Sequence, residues 1–431
     1  MLRLIAHLDF PFYTPKGAYP VGGAVRDLLL GRRPKDLDFA AQDPLRAAEE
    51  AQRRLGGSLF PLDETRGQYR LVVGSSTLDF APVEGTLEED LSRRDFRLNA
   101  LLWRRGRVFG LAGVEEDLAK RLLRPVAEEN LYQDHLRSLR AVRLAATLGL
   151  GLPRATREAL RRHARFLLAH PQALPARERV REELARLLLS PRAAWGFHTL
   201  GETGLLEVYL PELKPLWGLH QGGVHHLDGW RHTLAVLFHL GWLWPEAPLR
   251  ARLAALYHDV GKPLTRRFDP EVGRFRFLGH AEVGAEVAHA SLLWLRFPKE
   301  VAEGVRELVR RHMDHPPEEA RALRRFYLRR KGLLPDLPYL MAADRLAARG
   351  VEGEAWTLLE DYQEALAEPL PERPLLSGEE AMALLGLKPG PEVGQALEAL
   401  LLAQAEGRVR NREEAAAFLL YWKGGREATA T

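Results

Sequence analysis

Val21 to Phe39, VGGAVRDLLLGRRPKDLDF, packs a glycine pair, an arginine and two aspartates spaced by one residue into one short stretch. Turn residues and alternation predict a strand over Ala18 to Val21, a tight turn at Gly22-Gly23, a helix over Ala24 to Leu30 and a second strand over Leu37 to Ala41. Residues i and i+2 of a strand share a face, so Asp36 and Asp38 are expected to project side by side. Carboxylates so placed repel each other, and a divalent cation removes that penalty. The glycines let backbone N–H groups at the helix start approach a phosphate. A third carboxylate is expected from a neighbouring strand, and Asp79 in TLDFA repeats the ending of DLDFAA. Three carboxylates holding two Mg²⁺ ions leave a slightly positive site that can accept a triphosphate. One ion would acidify an attacking 3′-hydroxyl and the other would hold the leaving pyrophosphate.

DLSRRDFRLNALLW, from Asp90 to Trp103, gathers Arg93, Arg94, Asp95 and Asn99. Arginine forks suit phosphates, and an adjacent aspartate can accept a ribose hydroxyl. A second set lies far downstream: His232 early in a predicted helix, His258-Asp259 at the end of another, and Asp344 in a third. Four N/O ligands from three helices can converge on one cation in a bundle. Adjacent helical residues diverge by roughly 100°, so His258 and Asp259 share a cation only where the helix ends, which Gly261 and Pro263 provide. His198, His239 and His289 read as ordinary core or surface histidines.

These groups need two kinds of framework. Up to about residue 120, β-like runs alternate with helical ones: a helix through Glu49 to Leu55, paired strands at Tyr69 to Val73 and Thr77 to Ala81, and another pair at Leu98 to Trp103 and Val108 to Leu111. Any flexible loop between the catalytic strands must lie in Phe60 to Ser76, which is short. Beyond 120 the β signal stops and amphipathic helices run to the end, so the expected fold is α+β and multidomain, a mixed sheet with helices followed by an all-α remainder. Helices are expected at Trp230 to Trp244, Leu249 to Tyr257, His280 to Leu295, Lys299 to His312 and Leu337 to Arg349, with three more in the tail from Gly378. The division expected is a head over 1–120, a neck over 121–210, a third domain over 211–350 and a helical tail over 351–431.

A length of 431 residues is too great for one ordinary core. No cysteine is present, which excludes disulfides and thiolate metal sites and leaves histidine and carboxylate as ligands. No apolar run is long enough to cross a bilayer, so no membrane association is expected. Asp9 and Pro11 interrupt any secretory reading of the first residues, and the cytoplasm is the expected location. A formal charge of +4 permits an RNA partner. Arg137, Arg140 and Arg143, then Arg161, Arg162, Arg165 and the group from Arg177 to Arg186, would suit a phosphate backbone together, although each alone reads as a solvated helix face. The abundance of arginine and lack of cysteine also fit a heat-adapted protein.

GGAVRD, DLDF, RRDFRLNA and DHLRSLRAVRLA, in that order, resemble the bacterial class II tRNA nucleotidyltransferase and poly(A) polymerase family over nearly the whole chain. The resemblance implies a polymerase-β-like head with Asp36 and Asp38 as metal ligands and Asp79 as third carboxylate, Gly22, Gly23 and Arg26 on the triphosphate, and Asp95 on the ribose. It implies ATP, CTP and tRNA as partners and a base-reading motif E-D-x-x-R, which stands here as Gln133-Asp134-His135-Leu136-Arg137. Asp134 and Arg137, three apart, are expected on one helical face, where acceptor and donors can meet a Watson–Crick edge. Gln133 departs from the family's acid. Arg179 and Glu183 match the R-x-x-x-E that braces the neck.

RHTL, LYHDVGKP, GHAEVGA and the terminal aspartate resemble the HD phosphohydrolase superfamily. That implies a divalent metal on His232, His258, Asp259 and Asp344, such as Ni²⁺, Mn²⁺ or Co²⁺, and phosphatase or phosphodiesterase activity. Lys262 would bind phosphate, and His280 and His312 would add ligands for a second metal; His225 and His226 are weaker candidates. The leading expectation is C and/or A addition to tRNA 3′ ends. Beside it stand a CC-only or A-only enzyme, a poly(A) polymerase, an HD nucleotide hydrolase with a regulatory head, and an HD region that is a noncatalytic RNA-binding or dimerising scaffold. Apolar faces in the C-terminal helices leave a homodimer open.

Overall fold

Phe39 and Phe80, each almost fully buried, stack with ring centroids 4.9 Å apart where two parallel strands meet. The computed structural model describes residues 2–222, 227–348 and 352–427. Its first unit, Met1–Lys214, is built round that contact. Eight strands, β1 (Arg3–His7), β2 (Ala18–Val21), β3 (Leu37–Ala41), β4 (Ser58–Asp63), β5 (Gln68–Val73), β6 (Ser76–Pro82), β7 (Leu101–Arg104) and β8 (Arg107–Gly110), form one sheet in the order β1-β8-β7-β2-β3-β6-β5-β4. Only β3 and β6 pair in parallel; the other pairs are antiparallel. The helix Pro44–Leu55 makes the crossover, started by Asp43 accepting from the Arg46 N–H and stopped at Gly56 in a positive-φ conformation. Its Ala47, Ala48 and Ala51 pack on Phe39, Leu71 and Phe80.

Asp36 falls just outside β3, so Asp36 and Asp38 are not two residues of one strand. Leu98 belongs to a short 3-10 turn, Arg97–Asn99, ahead of β7. The segment expected to hold a flexible loop is instead the antiparallel hairpin of β4 and β5. Its outer strand carries Pro61 and exposed residues, as an edge strand tolerates, which hid it from pattern reading. The same holds for β1 at the other edge. The rest of the unit is helical, including Arg137–Leu148, Arg154–Ala169, Arg177–Leu188 and Ala193–Thr203.

The second unit, Pro215–Thr431, holds the helices Gly229–Leu243, Leu249–Tyr257, His280–Trp294, Lys299–Arg311 and Asp336–Ala347, within a residue or two of expectation. It is not all-α: a two-stranded hairpin, β9 (Arg267–Asp269) and β10 (Arg274–Arg276), precedes His280. Gly261 lets the turn after His258 press on the helix His280–Trp294, since a Cβ there would sit 2.2 Å from the His280 carbonyl oxygen. The tail helices Gly378–Leu385, Pro391–Ala405 and Arg412–Glu427 enclose their own apolar cluster around Leu400 and Leu419. Among the described residues no helix is long and apolar enough to cross a membrane.

Candidate functional site

In the first unit a cavity of about 680 Å³ is lined by Gly22, Gly23, Arg26, Asp36, Asp38, Arg94, Asp95, Asn99, Arg137 and Arg140, ten of the residues singled out from sequence. Arg32, Arg33, Lys35, Arg143 and Arg186 join them, so nine basic side chains face Asp27, Asp36, Asp38, Asp95 and Glu183. An excess of cations on a concave wall suits a triphosphate. Gly22, with φ of 69°, starts the helix Gly23–Leu29, and a Cβ there would meet Arg94 Nη1 at 2.9 Å and Asp38 Oδ2 at 3.6 Å. The glycine thus keeps room between a carboxylate and a guanidinium. The Arg26 guanidinium is held by Asp27 and by Asn99 Oδ1, and Asn99 in turn donates to Asp95 Oδ1 at 2.9 Å.

The parallel register aligns Asp38 with Asp79. Asp36 reaches the same strand by another route, its Oδ1 accepting from the Thr77 N–H and hydroxyl. Asp38 opens to the cavity, yet surrounding protein strips its hydration; that desolvation and the Asp79 and Asp36 charges raise its pKa, against the pull of Arg94. A cation would relieve this repulsion, so the carboxylates fit a divalent metal. Asp79 departs from expectation, because Arg70 on β5 forks onto it at 2.7 and 2.6 Å and neutralises it. It does not line the cavity.

The neck also differs. Asp134 is in extended conformation between the helices Asn130–Gln133 and Arg137–Leu148, so Asp134 and Arg137 do not share one helical face. Its carboxylate accepts from the Leu136 N–H and pairs with Arg179 at 2.7 Å, which lowers its pKa despite desolvation. Arg137 donates to the Asn130 carbonyl, and the buried Asn130 side chain donates to the Ser92 and Arg94 carbonyls. Arg140 bridges Asp95 at 3.3 Å and Glu183 at 3.4 Å, and Arg143 adds a 2.7 Å bond to Glu183. Arg179 thus holds Asp134, and Glu183 holds Arg140 and Arg143. Asn130 and Arg143 were not singled out for these roles; a lone asparagine carries no spacing signal.

In the second unit two groups of three put their ligand atoms within 4.8 Å of one another: His232, His258 and Asp259, and Asp259, His280 and His312. Among the described residues no others do, the head carboxylates included. Asp344 completes the first group, its Oδ1 lying 2.9 Å from His232 Nε2 and 3.8 Å from His258 Nε2. His258, His280 and His312 each place Nδ1 on a backbone carbonyl of Ala255, Phe277 or Val309, which turns Nε2 inward as a lone pair. The buried Nε2 of His258 lacks a hydrogen bond of acceptable geometry although Asp259 Oδ2 lies 3.2 Å away. Both atoms aim at a common point, as metal ligands do.

Burial opposes ionisation of Asp259, but His258 and Lys262 hold its pKa well below the usual carboxylate range. Burial also opposes charge on His258, where Asp259 and Asp344 win and raise its pKa. Desolvation pushes His280 down and His312 down to about 4, so both stay neutral and able to ligate. Lys262, expected on phosphate, is buried on Asp259 at 2.7 Å and on Gln221, a partner the sequence did not flag. His225 and His226 lie outside the described residues.

A metal-binding, cation-rich transferase head fused to an HD-type centre defines the class: a nucleotidyltransferase with an attached HD domain. The models of three families match, described as poly A polymerase head domain over 18–86, probable RNA and SrmB-binding site of polymerase A over 149–216, and HD domain over 229–349. The chain is 78% identical over 427 residues to a CC-adding tRNA nucleotidyltransferase of Thermus thermophilus, covering 99% of this chain and 98% of that protein. It is 47% identical to an A-adding tRNA nucleotidyltransferase of Deinococcus radiodurans over 95% of this chain and 96% of that one. The structure resembles the Bacillus stearothermophilus CCA-adding enzyme solved with CTP, with a TM-score of 0.67 and 26% identity over 96% and 94% of the two chains. The chain belongs to the tRNA nucleotidyltransferase family.

Asp38→Asn removes one carboxylate of the cavity together with its repulsion. Because the folded-state pKa of Asp38 is raised, its ionisation at neutral pH costs stability that returns as pH falls through that pKa. The variant is expected to lose nucleotide incorporation yet, in EDTA at pH 7, to unfold at the same or a higher temperature than wild type. A lower unfolding temperature would show that the Asp38 charge is stabilising instead.

Proposed function

We propose that this chain adds two C residues to the 3′ end of tRNA and leaves the terminal A to another enzyme. The observation that carries this reading is the 78% identity, spread over 99% of the chain, to a CC-adding relative. A second feature agrees. Accepting C and then A requires an element that can switch, and between β3 and β6 the longest connection is the four residues between Asp63 and Gln68. With hairpin and helix filling that interval, the head offers one setting of its selector.

In this reading Asp36 and Asp38 hold Mg²⁺, as two ions, with Asp79 adding negative charge beside them. The bound ions would acidify the tRNA 3′-hydroxyl and steady pyrophosphate as it leaves. The 3′-oxygen bonds to the α-phosphorus of CTP while the bond to the β-phosphate bridging oxygen breaks. Gly22, Gly23, Arg26 and Arg94 take the triphosphate, and Asp95 and Asn99 take the ribose. Asp134, steadied by Arg179, accepts from the cytosine amino group, and Arg137 donates to the ring acceptors. Arg140 and Glu183 fix the frame. ATP is in this reading a competitor of CTP rather than a substrate, and the enzyme works where tRNA is made, in the cytoplasm. In this reading the chain divides into a head over 1–120, a neck over 121–210, an HD domain over 211–350 and a helical tail over 351–431.

The test uses tRNA transcripts ending at the discriminator base, at C and at CC, each with CTP or ATP alone. Two C additions to the first, one to the second and no A addition to the third are expected. Efficient A addition to the CC-ending tRNA would overturn the CC-only reading.

The HD centre supports a second activity, hydrolysis of phosphate esters. Its two ligand groups share Asp259, so one carboxylate can serve two cations. Bound metals would supply an activated water, while His232, His258, Asp344, His280 and His312 hold them. Protein stripped with EDTA and reloaded with Mn²⁺, Ni²⁺ or Co²⁺ should hydrolyse a 2′,3′-cyclic nucleotide, and His258→Ala should abolish that while sparing C addition. No hydrolysis with any of these metals would leave the scaffold reading in its place.

A further inference from the structure

The hairpin β9–β10 is not explained by the helical bundle it interrupts. Arg266, Arg267, Arg274 and Arg276 occur within eleven residues that include only two acids, Asp269 and Glu271. Arg276 pairs with Asp269 at 3.0 Å, and Asp269 also caps the turn through the Glu271 and Val272 N–H groups. Among the described residues no carboxylate lies within ion-pair distance of Arg266, Arg267 or Arg274. The register places Phe268 opposite Phe275, so the two rings share one face and meet edge to face at 5.4 Å. Arg266 lies over the Phe275 ring at 3.8 Å. Phe268 is still 57% exposed, an unusual place for a phenylalanine.

The hairpin also has an address. Arg274, Phe275 and Arg276 form part of the wall of a cavity of about 810 Å³ that Asp259, His280 and His312 also line. Lys262, Arg310 and Arg345 line the same space beside the acids Glu282, Asp314, Asp344 and Glu354, so the basic side chains of the ribbon supply cations at a wall of mixed charge. The ribbon runs on through Phe277 into His280, so whatever the ribbon holds is carried toward the metal-ligating atoms.

We propose that β9–β10 is a binding arm for single-stranded RNA that delivers a 3′-terminal phosphate ester to the HD centre. Exposed aromatic faces with unpaired arginines beside them are the pattern that binds single strands without sequence preference, bases stacking on rings and phosphates meeting guanidinium groups. Exposed Val272 and Leu278 add apolar surface beside Phe268, but four arginines against two acids within eleven residues favour a polyanion over a protein partner. The occupant that matches both the charge and the ring is a polyanion with flat bases. The proposal deepens the reading of the HD centre as a phosphate-ester hydrolase and rests on it for the fate of the RNA.

The experiment uses the full-length protein and a short oligoribonucleotide with 4-thiouridine next to its 3′ end, crosslinked by light and mapped by peptide mass spectrometry. Crosslinks to the peptide spanning Arg267 to Phe277 are expected, with yield reduced about five-fold or more in Phe268→Ala and in Arg274→Glu. C addition to tRNA and the unfolding temperature should be unchanged in both variants. Crosslinks confined to residues 1–214, or equal yield in the variants, would overturn the arm. Because the readout is contact, it stands apart from whether the centre hydrolyses anything.

Discussion

Arg140 is gripped from two sides, by Asp95 of the R-R-D segment and by Glu183 of the neck helix Arg177–Leu188, and the geometry of the first unit depends on that grip. Asp95 is itself tied through Asn99 to Arg26, beside the glycine turn. The acids outweigh desolvation and raise the pKa of Arg140, so its charge is secure. Ion pairs of this kind add little net stability, because removing charge from water costs about as much as the pairing returns; their value is that they work in one arrangement only. Breaking one partner would leave the others half-buried and uncompensated. The neck cannot then drift relative to the catalytic turn without a large penalty.

The HD centre follows the opposite logic. There three histidines are oriented by backbone carbonyls, and the inward-facing lone pairs leave a demand that a cation meets. Asp259 lies at the crossing of both ligand groups and draws Lys262 onto it, and the Lys262 ammonium also donates to Gln221 Oε1. The two centres use separate side chains, and each can be disabled alone.

Much of this was legible in the chain. Glycine pairs, spaced aspartates and clustered arginines are residue types whose chemistry dictates their setting, and ten residues of the motifs that contain them do line one cavity. What escaped reading was partnership at a distance. Nothing near Asp79 announces that Arg70, across a hairpin, will occupy it. Three-residue spacing suggested a shared helical face for Asp134 and Arg137, but Asp134 instead satisfies the first free N–H groups of the next helix and breaks the run. Edge strands such as β4 carry too little apolar patterning to be seen, and β9–β10 is too short. Core strands and long helices, by contrast, declare themselves through burial periodicity, and most of their limits fell within a residue or two of expectation, β7 starting three residues later than read.

The central claim is that the neck's ion network, rather than a moving loop, fixes which base is accepted. The direct measurement is single-turnover incorporation of CMP and AMP into tRNA by wild type and by Glu183→Gln, a change that keeps shape and removes charge. The account predicts that preference for CTP over ATP falls about tenfold, about 1.4 kcal/mol of discrimination, in a protein that remains folded. An undiminished preference in a folded Glu183→Gln enzyme would contradict it.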